Sequence, residues 1–124
     1  DLVSAEEHDG RVLVPAWPED LTRALRNIIV NAVEYGERAR VRLQSGNGIA
    51  RVIIEDDGPG IPETHMASVF DPLVRVEASR SSETGGHGLG LHIARNIVLA
   101  HDGSIELANR PSGGLTVTVT LPAA

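Results

Sequence analysis

Ile49-Ala50-Arg51-Val52-Ile53-Ile54-Glu55-Asp56-Asp57-Gly58-Pro59-Gly60-Ile61 decides the fold of this 124-residue chain. Its apolar run Val52-Ile53-Ile54 predicts a strand over 49–56. The following stretch, Asp57 to Pro62, must be loop, because its glycines and prolines interrupt either regular structure. Just upstream, Val41 to Gln44 alternates apolar and polar, and Ser45-Gly46-Asn47-Gly48 is a tight-turn cluster. Together these segments predict a hairpin. A second hairpin is predicted near the end of the chain. There Ser104 to Ala108 and Leu115 to Leu121 both alternate and are joined by Arg110-Pro111-Ser112-Gly113-Gly114.

Helices are predicted between the hairpins. Pro18 leads into Glu19-Asp20, a common helix start, after which Leu21, Ala24, Leu25, Ile28, Ile29, Ala32 and Val33 recur at helical spacing. Gly36 is expected to close this helix as its C-cap. Glu63 to Phe70 has room for two helical turns. Leu89 to Ala100 predicts a second long helix, with Leu89, Ile93, Ile97 and Ala100 on its buried stripe and Gly103 as its stop. Before the first helix, Leu2-Val3 and Val12-Leu13-Val14 look like strand fragments around a His8-Asp9-Gly10 turn. Hairpin-linked strands mixed with helices imply a two-layer α/β sandwich. Its sheet should be mixed, mostly antiparallel and of about five strands, covered on one face by about three helices.

Composition narrows the function classes. The chain is one domain by size. It contains no cysteine, which removes disulfide frameworks, thiolate metal sites and thiol nucleophiles. All eleven basic residues are arginine, so a P-loop and a eukaryotic-type protein kinase, both of which need a lysine, are excluded. Seventeen acids leave a net charge of -6, which argues against nucleic-acid binding. No apolar run reaches the ~20 residues that cross a bilayer, and no signal-peptide pattern opens the sequence. Without an initiator methionine, the chain is expected to be a piece of a longer protein.

Three places carry chemistry that packing does not explain. Asn27, Asn31 and Tyr35 lie four apart, so they form a strip beside the apolar stripe of the first helix. Two amides and a phenol suit a ligand with a polar end and a flat apolar end, although asparagines there could equally be solvated flank residues. Asp56 closes an apolar strand and is followed by Gly58 and Gly60, where the backbone can approach a ligand while the carboxylate accepts a hydrogen bond. The plain alternative is a turn after a strand. Gly86-His87-Gly88-Leu89-Gly90-Leu91 opens the second long helix, where each glycine costs about 1 kcal/mol against alanine. What these glycines supply is bare N–H groups at a positive helix end, a site suited to phosphate.

In this order and at these separations, the motifs resemble the ATP-binding catalytic domain of two-component sensor histidine kinases. That family shares a superfamily with type II topoisomerases, Hsp90 chaperones and mismatch-repair ATPases, and its fold is the GHKL or Bergerat ATP-binding fold. The likeness runs from about Leu21 to Pro122. Asn27 to Ala32 matches the N box, Asp56 to Ile61 the first glycine box, Phe70-Asp71-Pro72 the F box, and Gly86 to Leu91 the second glycine box. Val74-Arg75 to Ser82 resembles the lid of osmosensor-type members. The sequence departs from the family pattern at Leu73, where a second phenylalanine is usual, and at His87, where threonine or serine is common.

The resemblance implies roles residue by residue. Asn31 would ligate Mg²⁺, with Asn27 beside it at the phosphates, and Tyr35 would pack on adenine while Asp56 accepts the adenine amino group. Gly58, Gly60 and Ile61 would line the base pocket with Phe70 near it. The segment from Gly86 through His87, Gly88, Leu89, Gly90 and Leu91 would hold phosphate. Arg75 would steady the γ-phosphate, and residues 71–87 would form a lid behind a shortened N-terminal region, 1–18.

The implied activity is transfer of the γ-phosphate of ATP to a histidine on a separate dimerisation domain, ahead of a response regulator. No direct membrane contact is expected in this piece, a cytoplasmic domain of a membrane sensor. Neither His8 nor His101 has the surroundings of a phosphoacceptor. Alternatives are an anti-sigma-type serine kinase, an ATPase module and a degenerate binding domain. The ATPase reading is disfavoured because Asn27 stands where such modules place a glutamate base.

Overall fold

A computed structural model describes residues 3–5, 12–66 and 88–123. Its elements in chain order are β1 (Val3–Ala5), α1 (Pro18–Gly36), β2 (Ala39–Gly46), β3 (Ile49–Glu55), α2 (Glu63–Met66), α3 (Gly88–Ala100), β4 (Ser104–Asn109) and β5 (Leu115–Pro122). The five strands form one sheet in the order β1-β2-β3-β5-β4. Only the β1–β2 pair is parallel. Both predicted hairpins are therefore present, and the sheet is mixed and mostly antiparallel as expected.

The details differ in instructive ways. β2 starts at Ala39 and continues through Gly46, leaving Asn47 and Gly48 as the turn. Both turn residues have positive φ, 55° and 79°, the requirement of a two-residue turn whose twist matches its strands. Val12 to Val14 forms no strand. Leu13 is exposed there, while Val14 packs against the core. The described part of the predicted short helix, Glu63–Met66, is helical and forms α2, and among the described residues two long helices cover the sheet. The predicted turn at 8–10 lies outside the described residues, as do residues 67–70 of the predicted short helix.

The core lies between the helices and one face of the sheet. Alternation along β5 buries Leu115, Val117, Val119 and Leu121, and register places Val117 beside Ile54 and Val119 beside Val52. From α1 come Ala24, Ile28 and Ala32, as the sequence stripe predicts, with Leu21, Leu25, Ile29 and Val33 packed against them. Fully burying Ile28 contributes about 1.5–3 kcal/mol.

The stripe predicted for α3 is the wrong one. Leu91, Ala94 and Val98 are buried, Ile93 and Ile97 only half-buried, and Ala100 exposed. Outside the polar strip of His92, Arg95 and Asn96 this helix is apolar, so its sequence holds two competing stripes, one on each side, and periodicity alone cannot choose between them.

Each long helix ends beside a glycine whose acidic neighbour takes a positive φ. Those neighbours are Glu37 at φ 71° and Asp102 at φ 62°. Gly36 and Gly103 are therefore not the left-handed caps that the sequence suggests. A Cβ on Gly103 would press on the Thr120 carbonyl of β5, and one on Gly36 would strike Asp56. Close packing is what these positions require.

His101 then ties the helix ends together. Trp17 N–H donates to its Nε2 at 3.0 Å, and its Nδ1 bonds the Ile97 carbonyl at 2.8 Å. The Trp17 ring sits edge-on 5.1 Å away. Because Nε2 accepts, the ring proton resides on Nδ1. Both ring nitrogens are engaged and the residue is buried.

Candidate functional site

The site begins where β3 runs out. Asp56 N–H still bonds the Leu115 carbonyl at 3.0 Å, which carries the β3–β5 ladder one residue past the strand. Its side chain then takes over. Oδ1 accepts the N–H of Leu115 at 3.0 Å and the N–H of Gly58 at 3.0 Å. Both bonds fall on Oδ1, and among the described residues no donor reaches Oδ2. The carboxylate is thus aligned through one of its two oxygens.

Asp56 is 6% exposed. Burial pushes its carboxyl above the ordinary carboxylate value, and the Gly58 and Leu115 bonds pull in the other direction without cancelling the shift. Its neighbour has the opposite environment. Asp57 is exposed and receives a bidentate Arg40 guanidinium at 2.9 and 2.8 Å, plus Arg110 Nη1 at 3.2 Å. The Arg40 hydrogen bond, ahead of the other causes, holds the Asp57 carboxyl below its ordinary value. Two adjacent acids therefore take different roles. Asp57 is spent on arginines, and Asp56 remains an acceptor.

The end of α1 is fitted against this carboxylate. Gly36 lacks the Cβ that would collide with the Asp56 side chain, and its carbonyl accepts Asp57 N–H at 3.0 Å. A Cβ on Gly58 would lie 2.5 Å from both the Gly36 Cα and the Tyr35 carbonyl. Gly60, at φ 77°, occupies a region that other residues rarely adopt, and its missing Cβ faces the Asn109 amide. Both box glycines are thus needed by the protein's own packing.

Asn27, Asn31 and Tyr35 are half-buried on α1, and Ile61 is buried in the core cluster. The structure brings the Tyr35–Gly36 end of α1 onto the Asp56–Gly58 loop. Gly88, Leu89 and Gly90 form the backbone of the first turn of α3, which leaves the initial N–H groups without helical partners. Leu91 turns inward and serves the core. Phe70, Arg75, Gly86 and His87 lie outside the described residues, as does the segment 71–87.

Several supporting residues are not marked by the sequence motifs. Gly36 reads there only as a helix terminator, and Gly113-Gly114 only as a turn. A Cβ on Gly114 would run into the Asp56 carbonyl. Arg110 Nη1 also reaches that carbonyl at 2.9 Å, and Asn109 holds Ile61. The pair of glycines after Arg110 is the one available signal. Nothing local marks Asn109.

Residues 17–124 match the family model described as histidine kinase-, DNA gyrase B-, and HSP90-like ATPase. The chain belongs to this family, whose domain is a nucleotide-using one. The sensor histidine kinase GtrS of Pseudomonas aeruginosa is 43% identical over 122 residues, 92% of this chain and 25% of that protein. Among solved structures, the mycobacterial sensor histidine kinase MprB is similar with a TM-score of 0.81 at 31% identity, covering 98% of this chain and 81% of that one. The histidine kinase domain of the E. coli osmosensor EnvZ gives 0.74 at 34% identity, covering 99% and 76%. The chain spans a quarter or less of the length of the curated relatives it matches.

Proposed function

We propose that this chain is the catalytic domain of a sensor histidine kinase, binding Mg-ATP and passing the γ-phosphate to a histidine on a separate dimerisation domain. The single observation that carries the reading is Asp56, a buried carboxylate with one oxygen fixed by two backbone donors and the other open. An exocyclic amine is the natural donor to that oxygen. Adenine offers one at the position where guanine offers a carbonyl, so the site selects adenine. Tyr35 packs on the base, and Gly58, Gly60 and Ile61 line its pocket with Phe70.

Asn31 fits a magnesium ion held mainly by phosphate and water. Mg²⁺ takes few protein oxygens, and among the described residues no cluster of three His, Asp or Glu competes for it. When bound, the metal offsets phosphate charge that a chain of net charge -6 otherwise repels. Asn27 assists at the phosphates. The backbone from Gly86 to Leu91 grips the phosphate chain with its N–H groups at the start of α3, His87 included. Arg75, on a lid formed by 71–87, steadies the γ-phosphate. Asn27 is an amide and takes no proton from water, which favours transfer over hydrolysis.

The partners are then the histidine-bearing dimerisation domain of the same parent protein and a response regulator downstream. The domain works on the cytoplasmic side of a membrane sensor. Among the described residues, no helix is long and apolar enough to cross a membrane.

Mixing the chain with ATP, Mg²⁺ and a separately made histidine-bearing helical hairpin tests the activity. Acid-labile phosphate on the hairpin histidine is expected. Phosphate on a serine-bearing substrate instead, or brisk release of free phosphate with no transfer, contradicts the proposal.

A further inference from the structure

Asn109 is the last residue of β4, and its cross-strand partner is Leu115, the first residue of β5. Leu115 N–H holds Asp56 Oδ1 at the start of the glycine loop. Asn109 holds the loop's far end with both ends of its side-chain amide: Ile61 N–H donates to Oδ1 at 2.8 Å, and Nδ2 donates to the Ile61 carbonyl at 2.7 Å. This two-point pairing imitates a strand ladder where no strand exists. One cross-strand pair thereby fixes both flanks of the loop from Asp57 to Gly60. Gly60 between them sits so close that a Cβ would strike Asn109 Oδ1.

The geometry points to Asn109 as a positioning residue for base recognition, an inference that rests on the adenine reading of Asp56. The loop is irregular: its first half is held at Asp57 by the Gly36 carbonyl, Arg40 and Arg110, and its far half at Ile61 by Asn109. Loss of the Ile61 clasp loosens the loop from its far end, Gly60 first, and with it the seat of the Gly58 N–H that aligns the Asp56 carboxylate. Asn109 acts through the loop and touches no reacting atom. Only an amide can serve here, because Ile61 presents a donor and an acceptor side by side. Aspartate would set a carboxylate against the Ile61 carbonyl, and leucine would leave both backbone groups unpaired.

The test uses Asn109→Leu, with Asn109→Ser as a milder variant able to keep one of the two bonds. Ile105→Val is the control, since it weakens packing of the same strand without touching the loop. Affinities for a non-hydrolysable ATP analogue and its guanine counterpart are measured with Mg²⁺, alongside amide hydrogen exchange at Gly58 and Ile61. Asn109→Leu is expected to lose about tenfold in adenine affinity, the equivalent of ~1.4 kcal/mol, with faster exchange at both amides. Guanine affinity should stay nearly constant, so that the preference between the bases narrows.

Asn109→Ser should fall between wild type and leucine, and it carries the test if the leucine variant does not fold. Ile105→Val should lower thermal stability and leave the base preference intact. Wild-type adenine binding together with an unchanged preference in the Asn109 variants overturns this inference alone. An equal loss of preference in Ile105→Val also overturns it, by making the effect one of general stability. Failure of the wild-type chain to prefer adenine overturns the reading beneath it as well.

Discussion

Asp56→Asn is expected to weaken adenine-nucleotide binding by about a hundredfold, on the order of 2.7 kcal/mol, while leaving the fold at least as stable near neutral pH. The carboxamide oxygen can keep the Leu115 and Gly58 bonds that Oδ1 accepts. What changes is the other position, where an NH₂ replaces the open Oδ2. A donor then faces the adenine amino donor, and leaving such a buried pair unsatisfied costs about 1–3 kcal/mol per group. The same change presents a donor to the carbonyl of guanine, so the preference between bases should narrow or invert. Isothermal titration with both nucleotides reads this directly.

The pH dependence of this site runs in two opposite directions. Burial raises the Asp56 carboxyl above its ordinary value, so in the folded protein the neutral form is favoured relative to the unfolded chain. The stability that Asp56 contributes is present below its unfolded pKa and is lost as pH rises through the raised folded value. On the proposed reading adenine binding needs the ionised form, so affinity is expected to rise through the same window. Asn has no charge to lose, and both slopes should vanish in Asp56→Asn. Melting and titration series from about pH 4 to 7 cover the interval above the ordinary carboxylate value. Asp57 contributes with the opposite sign. Its lowered carboxyl adds stability above its unfolded value, and that stability is lost as pH falls through the folded one.

Gly36→Ala should be the second large effect. Helix propensity favours alanine over glycine by about 0.8–1.0 kcal/mol at an interior position, so a helix read in isolation predicts stabilisation. The methyl group, however, would occupy the space of the Asp56 side chain. Forcing a side chain into such a packed contact costs about 1–3 kcal/mol, and the carboxylate is displaced from its two donors besides. The steric cost outweighs the gain in propensity. The variant should melt below wild type and lose adenine affinity together with stability. An alanine variant that is more stable and binds normally would mean that α1 does not seat the carboxylate.

The legible part of this molecule is what local pattern encodes. The α1 stripe at Ala24, Ile28 and Ala32 and the alternation of β5 emerge correctly because each reports one buried face. Asp56 stands out because a charge ends an apolar strand beside two glycines. What the sequence does not display is which segments meet. Asn109 and Ile61 are 48 residues apart, and Leu115 and Asp56 are 59 apart. No periodicity links such pairs. Gly36 and Gly103 mislead for a related reason: a glycine at a helix end signals a left-handed cap, yet here the positive φ falls on acidic neighbours and the glycines make room for distant chain. The competing stripes of α3 are ambiguous until α1 and the sheet choose between them.

The most direct measurement is a titration of the wild-type chain with ATP and with GTP, each with and without Mg²⁺, repeated for Asn31→Ala. The proposed site around Asp56 predicts tighter binding of ATP than of GTP, an increment from magnesium, and loss of that increment in the Asn31 variant. Equal affinity for the two bases, or no binding of either, contradicts the account at its root.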